Sequence, residues 1–428
     1  MLNPLAQELN NVLAGSIADA LFSDLGKRIY FPNGIIAQSG EAKKLGKTAN
    51  GTIGMTVNGG HPIMLDSIHK FVPELSEAEL VGYAPTAGNA DLRALWKEKI
   101  IAKNPSLKNK SISLPVLVPG LTAGISYLAD LFLDEDKALL AADPSWDNYA
   151  LVTEARRNAP FHQFVLFKDG KFNLEGFEKA VKEEAKTGSV RVILNFPQNP
   201  SGYSPTKSEA DKICSILKEV AEGGAKVLAI SDDAYFGLNY EDDIFPESLF
   251  ARTCDLHPNV LGVKIDGPTK EDFVWGFRSG FLTFGNAQMT EEQYTALVTK
   301  LMGVIRSSVS CSSTPPQSLL LRAMKDPETD KQKLEYRKIL EERYNVVRKF
   351  VDTHTNSVLE ALPFNSGYFM SFAVKGKNAE DLRKKLLNDY GIGVVSIDSK
   401  TLRVAFSSIE KEKLESVYET IFKAAEEL

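Results

Sequence analysis

The segment Val227-Leu-Ala-Ile-Ser-Asp-Asp-Ala-Tyr235 is a short, almost entirely apolar run that ends in two carboxylates. An apolar run of this length is typical of a strand buried on both faces of a parallel sheet. Similar runs alternate along the chain with segments of helical periodicity such as Ser208–Ala221. The alternation predicts an α/β fold with a mostly parallel central sheet covered by helices. The other predicted strands are Val116–Pro119, Ala138–Ala142, Val190–Phe196, Val260–Ile265 and Gly280–Phe284.

The sequence changes in character after Thr314-Pro-Pro316. A long charged helical stretch runs from about Asp326 to His354, and a tail with both strand and helix patterns follows it. The predicted elements of this tail are the strand Phe369–Val374, the helix Ala379–Tyr390 and the strand Leu402–Phe406. We therefore expect a second, smaller α+β domain built from the two chain ends. The expected division is an N-terminal arm and part of the small domain over residues 1–60, a large domain over 61–320 and the C-terminal small domain over 321–428.

Composition excludes several classes of function. The chain has 428 residues, 43% of them hydrophobic, and a net charge of -6, as is usual for a globular protein. It has no basic block, so we expect no nucleic-acid partner. It has neither a signal-peptide pattern at its start nor an apolar run of about 20 residues, so we expect no membrane association. The three cysteines form no CxxC pair and the five histidines no HExxH motif, which favours a cytoplasmic protein without a metal site.

Polar residues follow several of the predicted strands. Asn199 begins Asn199-Pro-Ser-Gly202, Lys270 follows the run that ends at Ile265, and Arg278 lies in Gly276-Phe-Arg-Ser-Gly280. Ligands bind where the carboxyl ends of such strands meet. Asparagine, aspartate, tyrosine, lysine and arginine in this order are the groups that pyridoxal phosphate needs. The lysine forms a Schiff base, the arginine binds phosphate, and a carboxylate balances the protonated pyridine nitrogen.

Two further segments suit the same cofactor. Gly120-Leu-Thr-Ala-Gly124 follows a strand and opens a helix, whose free N–H groups and the Thr122 hydroxyl can bind an anion. Trp146, in Asp143-Pro-Ser-Trp-Asp-Asn-Tyr149, can stack on a flat ring. Taken alone, each motif has an ordinary alternative: a solvated lysine, an arginine in a salt bridge, a core tryptophan, or a turn containing the Asn-Pro or Asp-Asp pair.

Taken together, these motifs resemble the fold type I pyridoxal-phosphate enzymes, and specifically the class I/II aminotransferases of the aspartate/aromatic branch. The resemblance runs from Tyr83 to Arg403, and its strongest parts are Asn-Pro-Ser-Gly, Asp-x-Ala-Tyr and Thr-Lys followed by Gly-Phe-Arg-Ser-Gly. It implies that Lys270 binds pyridoxal 5'-phosphate and transfers the proton at the substrate. It also implies that Asp232, rather than Asp233, pairs with the pyridine nitrogen, since Tyr235 stands three positions after Asp232.

The resemblance assigns roles to the remaining candidates as well. Tyr235 and Asn199 are implied donors to the ring oxygen O3′, and Trp146 is the implied stacking residue. The implied phosphate contacts are Leu121, Thr122, Thr269, Arg278 and, from the neighbouring subunit of a homodimer, Tyr83. Substrate binding is implied for Arg403, which would hold the α-carboxylate, together with Asn199 and Trp146.

Two positions depart from the pattern of the family. Gly267 stands where the family usually has a phosphate-binding serine, while Thr269 stands where serine is also common. Arg306 precedes Pro315-Pro316, as does the arginine that binds the side-chain carboxylate in aspartate aminotransferases, but the gap here is longer. Arg306 is therefore a candidate for reading a dicarboxylate substrate, and a surface arginine is the alternative.

The resemblance predicts an enzyme that exchanges an amino group between an α-amino acid, aspartate or an aromatic one, and a 2-oxo acid such as 2-oxoglutarate. It also predicts a homodimer with active sites at the subunit boundary. A β-lyase or a decarboxylase is the alternative on the same fold, because the same lysine and cofactor support several bond cleavages. A pyridoxal-binding regulator or a non-catalytic relative is a third hypothesis. The lack of a winged-helix pattern before the fold argues against a fused regulator, and the presence of Lys270 argues against a non-catalytic relative.

Overall fold

The computed structural model of the protein describes residues 2–14, 22, 24–30 and 34–428. The predicted arm over residues 1–60 therefore lies partly outside the described residues. The strands of the described residues are β1 (Ala49–Asn50), β2 (Val57–Asn58), β3 (His61–Pro62), β4 (Val116–Val118), β5 (Leu139–Asp143), β6 (Phe161–Val165), β7 (Phe167–Lys168), β8 (Lys171–Phe172), β9 (Ser189–Asn195), β10 (Lys226–Asp232), β11 (Val260–Asp266), β12 (Gly280–Gly285), β13 (Leu359–Ala361), β14 (Phe369–Val374), β15 (Ile392–Gly393), β16 (Val395–Ser396) and β17 (Thr401–Ala405).

The α-helices form the layers around these strands. They are α1 (Pro4–Leu13), α2 (Asp24–Arg28), α3 (Ile35–Leu45), α4 (Asp66–Phe71), α5 (Glu77–Val81), α6 (Ala90–Lys103), α7 (Leu121–Phe132), α8 (Asn148–Ala150), α9 (Leu174–Ala185), α10 (Lys207–Glu222), α11 (Phe250–Thr253), α12 (Pro268–Glu271), α13 (Glu291–Ser308), α14 (Thr314–Lys325), α15 (Pro327–Thr353), α16 (Ala379–Tyr390) and α17 (Lys411–Glu426). None of them has the length and apolar character that crossing a bilayer requires.

The central sheet has seven strands in the order β4-β12-β11-β10-β9-β5-β6. The predicted α/β fold with a mostly parallel central sheet is confirmed. The exception to the parallel arrangement is β12, which is antiparallel to both β11 and β4. The reason is that residues 267–279 contain no helix long enough to carry the chain back across the sheet, so the chain reverses at its carboxyl edge.

Alternate residues of β10 pack into different layers of the core. Leu228 and Ile230 pack in the cluster that contains α7 and α13, whereas Val227 and Ala229 pack in the cluster that contains α9 and α10. Helix α10 begins with a capping box in which Thr206 and Glu209 bond each other's backbone N–H groups. The strand is buried on both faces, which explains its continuous apolar run.

The register of the sheet aligns the strand ends. Asp232 at the end of β10 lies opposite Asn195 of β9 and Ile265 of β11. The residues that follow these strands therefore meet at one edge of the sheet, which is where the sequence predicts the candidate site.

A second, antiparallel sheet has the order β13-β14-β17-β16 and packs against α15, α16 and α17. The predicted charged helix near 326–354 corresponds to α15. Strand β1 pairs in parallel with β15, where Ala49 lies opposite Ile392. Residues from the N-terminal part of the chain thus contact the C-terminal unit.

Candidate active site

A cavity of about 290 Å³ opens where the carboxyl ends of β9 and β10 approach α7, α12 and β17. Ten of the twelve predicted site residues line it. These ten are Leu121, Thr122, Trp146, Asn199, Asp232, Tyr235, Thr269, Lys270, Arg278 and Arg403. The fold thus brings together residues that are nearly 300 positions apart in sequence.

Lys270 lies in α12, which follows Gly267 at the end of β11. Its Nζ lies 4.7 Å from the centre of the Tyr235 ring. Burial lowers the pKa of Lys270 to about 8; Asp232 acts in the opposite direction, and Arg278 lowers this pKa further. An amine with such a pKa is partly unprotonated near neutral pH, so it can act as a nucleophile or a base.

Asp232 is the buried carboxylate of the cavity, with 3% of its surface exposed. Its Oδ2 accepts a hydrogen bond from the Tyr149 hydroxyl at 2.5 Å, and its Oδ1 accepts one from the Ala234 N–H at 3.2 Å. Burial raises the pKa of Asp232, while the bond from Tyr149 and the charge of Lys270 oppose that rise. The cavity therefore holds an acceptor for a cationic ring nitrogen.

Asp233 belongs to a different network. Its Oδ2 accepts a hydrogen bond from Ser248 Oγ at 2.6 Å and forms an ion pair with Lys264 of β11. Lys264 has 1% of its side chain exposed and also lies 3.5 Å from Asp266. Asp233 does not line the cavity, so the geometry favours Asp232 as the carboxylate that faces a ligand.

The start of α7 combines groups that could bind an anion. Gly120 precedes this helix with a φ of 89°, and a Cβ at this position would lie 2.5 Å from Arg278 Nη2. The positive φ favours glycine at this position, and the absence of a side chain leaves space for the guanidinium beside the start of the helix. Arg278 has a left-handed backbone with a φ of 49°, and its Nη1 donates to the Trp275 carbonyl at 3.2 Å. Thr122 and Thr269 add hydroxyl groups nearby.

Arg403 of β17 lies in the wall formed by the second sheet. Its Nη1 donates to Asn199 Oδ1 at 2.8 Å and its Nη2 to the Thr52 carbonyl at 3.1 Å. Its guanidinium lies 4.2 Å from the centre of the Phe369 ring, while its Nε has no partner among the described residues. Burial lowers the pKa of Arg403 to about 10, against the effect of Tyr235 and Asp147, so the group remains a cation at neutral pH.

Sequence reasoning missed several residues of this cavity. Tyr149 and Asn195 contact Asp232, the latter through a bond of 2.8 Å from Nδ2 to the Asp232 carbonyl. Thr52 and Met55 come from the N-terminal part of the chain and complete the wall. Tyr149 had a signal, because it stands three positions after Trp146 in a motif already identified, whereas nothing local marked Thr52 or Met55.

Two predicted residues do not line the cavity. Tyr83 is 96% exposed. Arg306 is exposed in the last turn of α13, where its Nη1 donates to Ser310 Oγ. Within one chain, neither Tyr83 nor Arg306 joins the ten predicted residues that line the cavity.

The lining residues fit pyridoxal phosphate by their chemistry. The cavity combines a lysine with a lowered pKa, a buried carboxylate, and an arginine whose guanidinium lies beside the glycine that precedes a helix. Lys270 would bind the aldehyde, Asp232 the ring nitrogen, and Arg278 with the start of α7 the phosphate. In the described part of the chain, no three His, Cys, Asp or Glu residues are grouped to hold a metal ion.

The chain belongs to the family described as aminotransferase class I and II, which it matches over residues 55–421. This family depends on pyridoxal phosphate. The resemblance inferred from the motifs is therefore confirmed.

Individual relatives are distant. An aspartate aminotransferase of Sulfurisphaera tokodaii is 26% identical over 37% of this chain and 38% of its own length. A probable N-acetyl-LL-diaminopimelate aminotransferase of Bacillus subtilis is 21% identical over 74% of each chain. The first of these matches thus spans well under half of the relative.

The fold is that of a solved aminotransferase from Anaerococcus prevotii, with a TM-score of 0.82. The alignment covers 94% of this chain and 99% of the other, at 22% identity. At this identity the likeness establishes the fold alone.

Proposed function

We propose that the protein is a pyridoxal-phosphate-dependent aminotransferase that moves an amino group between an α-amino acid and a 2-oxo acid such as 2-oxoglutarate. One observation carries the proposal: Lys270, Asp232 and Arg403 line a single cavity although they follow or belong to strands of two different sheets. The reaction needs an amine, a carboxylate for the ring nitrogen and a guanidinium for the substrate carboxylate. The family match supports the same activity.

Lys270 is the proposed residue for binding the cofactor aldehyde as a Schiff base and for moving a proton at the substrate Cα. When bound, pyridoxal phosphate holds the amino group and delocalises the charge that Cα acquires as its proton leaves. The pKa of about 8 supports this role, because the amine can both accept and return a proton near neutral pH.

Three polar residues are proposed to orient the ring. Asp232 would hold the ring nitrogen in its protonated form. Tyr235 and Asn199 would donate to the ring O3′. The oxygen of Asn199 already accepts from Arg403, so its amide nitrogen is the group left to donate. Trp146, which is half-buried and lines the cavity, is the proposed stacking residue.

The phosphate is proposed to bind at the start of α7, on the backbone of Leu121 and Thr122, with Arg278 and Thr269 beside them. A bound phosphate would exclude water from this end of the cavity, and its charge-assisted hydrogen bonds to these residues would be stronger as a result. Arg278 is exposed in the chain, so a bound phosphate would cover it.

Arg403 is the proposed partner of the substrate α-carboxylate. The hydrogen bonds of Nη1 and Nη2 fix the plane of the guanidinium, and Nε, which has no partner among the described residues, is free to donate to a substrate.

We propose aspartate or an aromatic amino acid as the amino donor, consistent with the name of the Sulfurisphaera tokodaii relative. Arg306 would favour aspartate if it bound the side-chain carboxylate, but it is exposed and does not line the cavity, which favours the aromatic alternative.

We propose a homodimer with the active sites at the subunit boundary. Tyr83 is 96% exposed and the neighbouring Val81 84% exposed, beside α5 (Glu77–Val81). An aromatic ring and a valine that are both exposed to solvent are typical of a protein-protein contact.

The proposed domains are those expected from the sequence, 1–60, 61–320 and 321–428, which the pairing of β1 with β15 supports. A cytoplasmic location is proposed because all three cysteines are free.

The β-lyase and decarboxylase alternatives receive no support from the family match or from the relatives described above. A panel of amino acids with 2-oxoglutarate separates the reactions. Transamination yields glutamate and the matching 2-oxo acid in equal amounts, a β-lyase yields ammonia, and a decarboxylase yields carbon dioxide. We expect glutamate without ammonia or carbon dioxide, and no product from Lys270→Ala. Ammonia or carbon dioxide as the main product would overturn the proposal.

A further inference from the structure

Tyr149 has a polar contact that none of the roles above uses. Its side chain is buried, with 2% exposed, and its hydroxyl donates to Asp232 Oδ2 at 2.5 Å. The ring packs edge-on against Trp146, with 5.5 Å between the ring centres and 81° between the planes. Tyr149 belongs to the short helix α8, so a separate part of the chain contributes it to the end of β10.

The hydrogen bond from Tyr149 is important because few groups donate to the Asp232 carboxylate. Within the described residues, its carboxylate accepts hydrogen bonds from Tyr149 and from the Ala234 N–H alone. A buried carboxylate without donors takes up a proton, since its charge is poorly solvated. Burial also raises the pKa of Tyr149 well above its usual value, so this hydroxyl stays protonated and donates to the carboxylate.

We propose that Tyr149 is a positioning residue, whose hydroxyl fixes the orientation of the Asp232 carboxylate and keeps it anionic for the pyridine nitrogen of the cofactor. The inference rests on the proposed function. Three other titratable groups act on Asp232 or respond to its charge. Lys270 comes from α12, while Tyr235 and Asp233 follow β10. Asp233 is itself paired with Lys264, so Tyr149 is the side chain that donates to Asp232.

The Tyr149 hydroxyl also affects how Asp232 responds to pH. Tyr149→Phe removes one of the two donors, so the pKa of Asp232 rises. The carboxylate then takes up a proton at a higher pH than in the wild type and loses its attraction for the protonated ring. The affinity of the variant for pyridoxal phosphate should therefore fall, relative to the wild type, as the pH is lowered.

The test measures the dissociation constant of pyridoxal phosphate from the cofactor-free protein between about pH 5.5 and pH 8.5, where raised carboxylate pKa values lie. Quenching of tryptophan fluorescence reports binding, because Trp146 and Trp275 line the cavity. We expect Tyr149→Phe to weaken binding by about tenfold or more at the low end of this range, and by less at the high end. The matched control is Tyr203→Phe, which removes a hydroxyl that donates to Glu209 at 2.5 Å outside the cavity.

A double-mutant cycle separates positioning from a general loss of packing. In an Asp232→Asn background, Tyr149→Phe should cause no further loss of affinity, because the carboxylate through which it acts is gone. An equal loss in both backgrounds, or a Tyr149→Phe profile that matches the wild type at every pH, would overturn the inference. Absence of saturable binding by the wild type would instead overturn the proposed function and this inference with it.

Discussion

Asp232 and Asp233 are consecutive residues at the end of β10, yet their carboxylates enter separate networks. Asp232 accepts from Tyr149 and faces the cavity, whereas Asp233 pairs with Lys264 inside the protein. Successive side chains of a strand point to opposite faces, which explains the separation. One carboxylate is thus available to a ligand, and the other neutralises a buried cation.

This separation predicts different effects for two neighbouring substitutions. Asp232→Ala should lower kcat/KM by several orders of magnitude with little loss of stability, because the ring nitrogen loses its partner. Asp233→Ala should instead lower the free energy of unfolding by about 3–5 kcal/mol, because Lys264 keeps its buried charge with only Asp266 nearby. Steady-state kinetics and urea unfolding of both variants check this. A larger loss of kcat/KM in folded Asp233→Ala would reverse the assignment.

The lowered pKa of Lys270 predicts how the amine reacts. Only the unprotonated amine is nucleophilic, so the rate at which trinitrobenzenesulfonate labels Lys270 in the cofactor-free protein should rise with pH, with a midpoint near 8. Arg278→Gln removes a positive charge that lowers this pKa, so the midpoint should move to higher pH. Peptide mapping of the labelled site gives the profile. A midpoint near the ordinary lysine value of 10.5 would contradict the prediction.

The two arginines predict different substrate effects. Arg403→Lys should raise KM for every amino acid alike, because a point charge replaces a planar fork. Arg306→Ala should leave the preference among amino-acid substrates unchanged, because the Arg306 side chain is exposed and does not line the cavity. Kinetics with aspartate, glutamate, phenylalanine and tyrosine check both. A selective loss of about 2–5 kcal/mol for the acidic donors in Arg306→Ala would show that Arg306 binds a substrate carboxylate.

The proposed dimer predicts complementation between two impaired variants. If Tyr83 serves the neighbouring subunit, a mixed dimer of Lys270→Ala and Tyr83→Phe has one site with both residues intact. Refolding an equal mixture should then restore up to about a quarter of wild-type activity, since about half of the dimers are mixed and each has one complete site. A mixture no more active than its components, or a fully active monomer by light scattering, would contradict this arrangement.

Much of the site could be predicted because the strands are short and apolar. Polar residues that follow parallel strands must meet at one edge, so Asn199, Asp232 and Lys270 could be grouped without coordinates. The cavity contains all three. The fold sets the positions of these three residues, and their chemical roles stay predictions.

The features of the fold and the site that could not be predicted depend on contacts between segments that are distant in sequence. Strand β6 was missed because His162 and Gln163 interrupt its apolar pattern at the exposed edge of the sheet. Lys264 gave no signal of its buried ion pair, since a single lysine in an apolar run does not reveal its partner. Thr52 reaches the cavity from the N-terminal part of the chain, across 351 positions from Arg403. No local pattern encodes a contact of this kind.

The central claim is that Lys270 carries the cofactor. Incubation with pyridoxal phosphate, reduction with borohydride and peptide mass mapping test this directly, because reduction makes the bond between lysine and cofactor permanent. We expect one pyridoxyl group per chain, on Lys270, and none on the Lys270→Ala variant. A stoichiometric label on another lysine, or an equal label on Lys270→Ala, would contradict the account.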